Sequence, residues 1–176
     1  FVVVGMFWGC FAAYVPVIKG QIGASDAMFG TLMLASAMGL FSAMWLAPRA
    51  DRVLGPRAMQ AAAGMLALAW LLPALTAHPA FFALTMAFVG LSSGLLDVGM
   101  NARVGELGAR HKRPLMNVNH AMFSAAYAVG AIGVSFARAA DLPPAPVFAG
   151  LAVIAFLMLP LMRLDVAKVQ AAADDA

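Results

Sequence analysis

Four polar residues in the second half of the chain have the types and spacing to handle protons. Asp97 and Asn101 are four apart, so on a helix they share one face. Asn119 and His120 open the next apolar stretch. A carboxylate and an imidazole brought to one depth can gate water or pass a proton. The plainer reading makes Asp97 a structural cap or pair, with Arg103 as partner, and His120 an interfacial residue. Tyr14 is a further candidate for lining a cavity. Gly90-Leu91-Ser92-Ser93-Gly94 fits the Gly-x-Ser-x-Gly nucleophile pattern, with His120 and Asp97 as triad partners on paper. That pattern needs a strand–turn–helix elbow to expose its serine. Here it lies in the middle of an apolar run, so hydrolase chemistry is not expected.

The elements that must position these groups are membrane helices. The chain has 176 residues, 64% hydrophobic and 11% charged, with a mean hydropathy of +0.90. A soluble domain carries about 25% charged residues. A membrane-spanning helix needs about 20 apolar residues, and six runs of that kind occur: 1–18, 27–47, 58–77, 80–102, 116–137 and 145–163. Pro79 suits the first turn of the fourth run. Residues 165–176 read as the start of a cytoplasmic linker, and 1–164 as one transmembrane bundle. Asp97 comes about 26 Å along the fourth helix from Ala80 at 1.5 Å per residue. His120 comes early in the fifth, which returns. Both are therefore expected near the same surface, flanked by Asn101 and Asn119.

Lys and Arg set the orientation. The loops after runs two, four and six carry nine of the eleven, among them Arg49, Arg52, Arg57, Arg103, Arg110, Lys112 and Arg113. The other loops carry Lys19 and Arg138. By the positive-inside rule, loops 48–57 and 103–114 are cytoplasmic. The basic sequence pI of about 9.5 comes from these loops, without interleaved aromatics, so nucleic acid is not an expected partner. Cys10 is the only cysteine, which excludes an intrachain disulfide. The three histidines have no metal-ligand spacing, and no cofactor is implied.

An internal repeat relates the first and fourth runs. Val4-Gly5-Met6-Phe7-Trp8-Gly9 matches Val89-Gly90-Leu91-Ser92-Ser93-Gly94. Asp26-Ala27-Met28-Phe29-Gly30, with Gly39, matches His120-Ala121-Met122-Phe123-Ser124, with Gly133. Three helices separate the copies, so the repeats are inverted across the membrane. Gly5-x-x-x-Gly9 and Gly90-x-x-x-Gly94 also allow close helix approach. The third and sixth runs hold almost no polar side chains and read as lipid-facing. The fourth and fifth, with Ser92, Ser93, Asp97, Asn101, Asn119, His120, Ser124 and Tyr127, read as cavity-lining.

With these features the chain resembles the N-terminal half of a major facilitator superfamily transporter. That family's loop between helices two and three reads Gly-x-Leu-Ala-Asp-Arg-x-Gly-Arg-Lys. Ala50-Asp51-Arg52 keep its centre, and Gly55 and Arg57 keep its end. Ala47 replaces the first Gly, Arg49 replaces Leu, and Leu54 is an extra residue. The resemblance implies that Asp51, Arg52, Gly55 and Arg57 form a conformational latch. Leu96-Asp97-Val98-Gly99-Met100-Asn101, Pro114-Leu115-Met116 and His120-Ala121-Met122-Phe123-Ser124 are similar to a bacterial branch related to fucose permeases. The Gly-Pro antiporter signature of the fifth helix is absent after Gly130 and Gly133. The resemblance implies a secondary transporter of a small, sugar-like or other polar molecule, working by alternating access in a bacterial inner membrane. Proton coupling is one option. Its partners would be lipid, a small-molecule substrate, and a missing C-terminal six-helix half or a second copy. The alternative is a non-transporting six-helix assembly or regulatory subunit.

Overall fold

The computed structural model describes residues 1–162. Arg163, Lys168 and the linker expected at 165–176 lie outside them. The described residues form seven helices: α1 (Val2–Gln21), α2 (Asp26–Leu54), α3 (Ala58–Ala69), α4 (Leu71–Leu75), α5 (Pro79–His111), α6 (Leu115–Ala139) and α7 (Pro144–Met158). Short 3₁₀ turns cover Gly55–Arg57 and Leu159–Met162.

Local chemistry sets the ends. Ser25 Oγ accepts from the Met28 N–H at 3.2 Å to cap α2. Asp26, in the first turn, pairs with Lys19 across the α1–α2 turn and complements the helix dipole. His78 Nδ1 accepts from Ala80 N–H at 3.2 Å, with Pro79 in the first turn of α5. α2 stops at Gly55, whose φ of 53° and ψ of −126° suit a residue without Cβ. Between α3 and α4 the break falls at Trp70, where Pro73 lacks the N–H that would bond Ala69.

Two helix pairs form the frame, and both are parallel. Along α1 and α6, Gly5 meets the backbone of Phe123 and Gly9 that of Tyr127. Along α2 and α5, the ring of Phe29 lies 5.4 Å from that of Phe82, Ser36 meets Gly90, and Ala43 meets Gly94. A Cβ at Gly5, Gly9, Gly39 or Gly90 would overlap a backbone oxygen of the facing helix. The two Gly-x-x-x-Gly stretches are thus packing surfaces. α3 runs the other way: Met59 lies by Gly99, and Gln21 Nε2 donates to the Ala74 and Thr76 carbonyls at 3.2 and 2.6 Å.

Trp70 holds the middle of the bundle. It is fully buried, stacked on Phe7 (5.5 Å) and Phe148 (5.7 Å), and met edge-on by Trp8 at 5.0 Å. Its Nε1–H has no hydrogen-bond partner among the described residues.

Two expectations need correction. The loops expected at 48–57 and 103–114 are mostly helix, because α2 continues to Leu54 and α5 to His111. Helix-forming Ala, Arg, Leu and Glu carry both past the apolar zone. The third run is not simply lipid-facing: Ala62, Ala63, Leu66, Ala67, Ala69 and Trp70 are buried. Small apolar residues admit neighbouring helices, and polarity alone does not reveal that. Six crossing helices were expected. Among the described residues five helical stretches are long and apolar enough to cross a membrane. One of them, Asp26–Leu75, holds both α2 and the oppositely running α3–α4. α7 exposes Val153, Ile154, Leu157 and Leu161 lies just beyond it, also exposed.

Gly9→Val should cost about 1–3 kcal/mol, the usual penalty of overpacking, because the Tyr127 carbonyl cannot retreat without its helix. Gly133→Ala, with open space around it, should be neutral or slightly stabilising. Thermal unfolding of the two variants in detergent checks the contrast.

Candidate functional site

At the basic end of the bundle, Asp51 reaches across from α2 to α5. Its Oδ1 lies 3.9 Å from Arg103 Nη2, with both side chains partly exposed. Such a pair contributes about 0–1 kcal/mol, enough to bias a position and weak enough to exchange. Asp51 also borders a small cavity of about 90 Å³ between α2, α3 and α5, with Ala47, Leu54, Ala58, Met59 and Leu95 among its walls. Arg52 and Arg57, the expected neighbours, are exposed. Among the described residues neither has a carboxylate within 4.0 Å. The expected partner set therefore changes: Arg103 meets Asp51 and not Asp97.

Asp97 and His120 do not pair. Both are exposed, and no ion pair joins them. The His120 ring meets the edge of the Phe1 ring at 5.5 Å. Asn101 Nδ2 donates to the Asp97 backbone carbonyl at 2.9 Å, and Asn119 Nδ2 to that of Leu115 at 2.8 Å. These amides serve their own helices, since an i−4 carbonyl is the nearest acceptor a short polar side chain has in an apolar setting. A cavity of about 210 Å³ opens beside them, walled by Phe1, Phe7, Leu66, Leu96 and Met100, with Asn119 as its polar member.

Tyr14 lines neither of the two cavities above. It is fully buried, and its hydroxyl donates to the Leu142 carbonyl at 3.0 Å. Burial of a phenol requires such an acceptor, and the α6–α7 turn supplies it. Ser92 is buried in mid-helix and donates to the Phe88 carbonyl at 2.8 Å. There is no elbow to present it as a nucleophile.

Two contacts were not anticipated. Trp8 Nε1 donates to Ser93 Oγ at 3.4 Å, joining α1 to α5. Arg138 Nη1 donates to the Ala13 carbonyl at 2.8 Å, joining α6 to α1. The matched segments around Trp8 and Ser93 carried a signal for the first. The second, an arginine on a backbone carbonyl, leaves none. Among the described residues no three His, Cys, Asp or Glu side chains converge to hold a metal.

Because Asp97 and His120 do not touch, Asp97→Asn and His120→Ala should change stability additively, within about 0.3–0.5 kcal/mol. A double-mutant cycle on thermal unfolding measures this. A coupling well above that range would restore a direct pair.

No family model matches the chain, and no solved structure matches it. Over 136 residues, 77% of the chain, it is 34% identical to an uncharacterized MFS-type transporter of Yersinia pestis, covering 35% of that protein. Over 170 residues, 94% of the chain, it is 30% identical to an uncharacterized transporter of Sinorhizobium fredii, covering 44% of it. The chain thus spans less than half the length of these curated relatives. Its long apolar helices and these relatives together identify an integral membrane protein that is similar to major facilitator (MFS) transporters.

Proposed function

We propose that the chain is the N-terminal six-helix half of a major facilitator transporter of the fucose-permease-related branch. The whole protein would move a small polar solute by rocking this half against a second one around a central site. The observation that carries this reading is the equivalence of the two helix crossings. Gly5 and Gly9 on α1 meet α6 as Gly90 and Gly94 on α5 meet α2. The same residues match in sequence, as an inverted three-plus-three repeat requires. The names of the two relatives supply the class.

In this reading α1 and α5 face the solute path. They meet through the Trp8 and Ser93 side chains. Asp97, Asn101 and His120 sit toward the basic, cytoplasmic end, where an exposed carboxylate and imidazole act as separate gate or proton groups. Asp51 is the latch. Its loose contact with Arg103 can be exchanged for the positive N-terminus of a helix in the other half.

A thermal-shift screen of sugars, polyols and organic acids on the full-length protein supplies the substrate, and counterflow in proteoliposomes supplies the rate. Asp51→Asn should lower initial uptake severalfold with expression and unfolding temperature retained. Wild-type uptake in that variant would reduce the loop to an orientation signal. In a Cys10→Ala background, an impermeant maleimide applied from outside should label a cysteine at position 21 and spare one at position 110. The opposite pattern would invert the topology, and the absence of flux for every stabilising ligand would favour a non-transporting subunit.

A further inference from the structure

The face of α2 turned away from α5 carries a built sequence of exposed groups. Leu34, Met38, Phe41 and Trp45 follow one another along it, with Trp45 77% exposed and Phe41 67%. Steps of four, three and four keep them on one side of the helix, over about 16 Å at 1.5 Å per residue. Arg49 and Arg52 continue the same side at the next two turns, both exposed. Arg49 Nη1 is fixed by the Trp45 carbonyl at 2.7 Å, so the guanidinium lies against the indole's own turn. Among the described residues its other N–H groups have no hydrogen-bonded partner, and none of their carboxylates lies within 4.0 Å of Arg49 or Arg52. The nearest candidate, Asp51, is turned to Arg103. A shallow groove of about 650 Å³ runs beside Phe41, Met44, Trp45 and Arg49.

We propose that this face binds one anionic phospholipid, its phosphate on Arg49 and Arg52 and an acyl chain along Trp45, Phe41, Met38 and Leu34. Charge complementarity selects this occupant. A zwitterionic lipid brings a cation toward the same arginines, and a protein helix seated there would need acidic side chains of its own at that level. The apolar stripe below the arginines has the length of an acyl chain. Guanidinium groups take a phosphate through paired N–H donors, and a tryptophan at the rim is at home between headgroup and hydrocarbon. The inference rests on the membrane-embedded reading of the chain and not on transport.

The test uses the full-length protein in phosphatidylcholine vesicles containing a minor share of phosphatidylglycerol. Bromine on the acyl chains of one lipid or the other quenches nearby tryptophan fluorescence. Trp45→Phe measures the background from every other tryptophan, which is subtracted. An arginine near an anionic lipid surface is worth about a fivefold preference. Trp45 should therefore be quenched by brominated phosphatidylglycerol well above its share of the bilayer. R49Q should lower the preference about fivefold, and R49Q/R52Q should bring it near parity. Equal quenching by both lipids overturns the proposal. So does absence of quenching by either, which would mean that protein covers Trp45, and so does a preference unchanged in R49Q/R52Q. Quenching by brominated phosphatidylcholine alone would still place α2 against lipid, which keeps this failure distinct from that of the transporter reading.

Discussion

The bundle depends on backbone meeting backbone at two crossings. In a bilayer, lipid tails offer apolar side chains as good a partner as another helix does, so burial of apolar area no longer drives helices together. Association then rests on dispersion between closely matched surfaces, and dispersion falls steeply with separation. Gly5 and Gly9 against α6, and Gly39, Gly90 and Gly94 across α2 and α5, allow separations that any side chain would prevent. α3 and α7 then close around Trp70, filling the space that the two pairs define.

Polar groups in this setting are satisfied mainly along their own helices. The hydroxyls of Thr31, Ser42, Ser92, Ser124 and Ser135 all donate to the carbonyl four residues back. Polar contacts between helices are few and sit mostly near ends, as Gln60 does on Leu159 and Arg138 on Ala13. The apolar core, more than directed bonds, therefore joins the α2–α5 pair to α1–α6.

Much of this was legible in the residues, and each miss has a physical cause. Apolar runs, prolines and basic turns placed the helices, and the repeated glycines marked both crossings. Helix ends were misjudged where Arg, Ala and Leu prolong a helix beyond the hydrocarbon, because hydropathy marks the membrane's edge and not the helix's. Polarity misplaced α3, since alanines buried against protein read the same as alanines facing lipid. Whether Asp97 and His120 touch was not legible, because depth along a helix follows from counting residues but azimuth does not. Arg103 as the partner of Asp51 follows only from the parallel register of α2 with α5, which Phe29–Phe82 and Ser36–Gly90 establish.

That parallel pairing has a consequence in time. Parallel helices cannot be joined by a short turn, so each pair joins segments distant along the chain: Cys10 and Gly130 are 120 positions apart. During synthesis α1 leaves the ribosome long before α6 exists, and α2 long before α5. Each spends that interval with its glycine stripe facing lipid or a chaperone, a bare surface awaiting a partner not yet translated. Chains grow at about 5–20 residues per second, so the wait lasts on the order of several seconds. The bundle is thus assembled late, by late-arriving helices seating on early ones, and a ribosomal pause before α6 would prolong the exposure of α1.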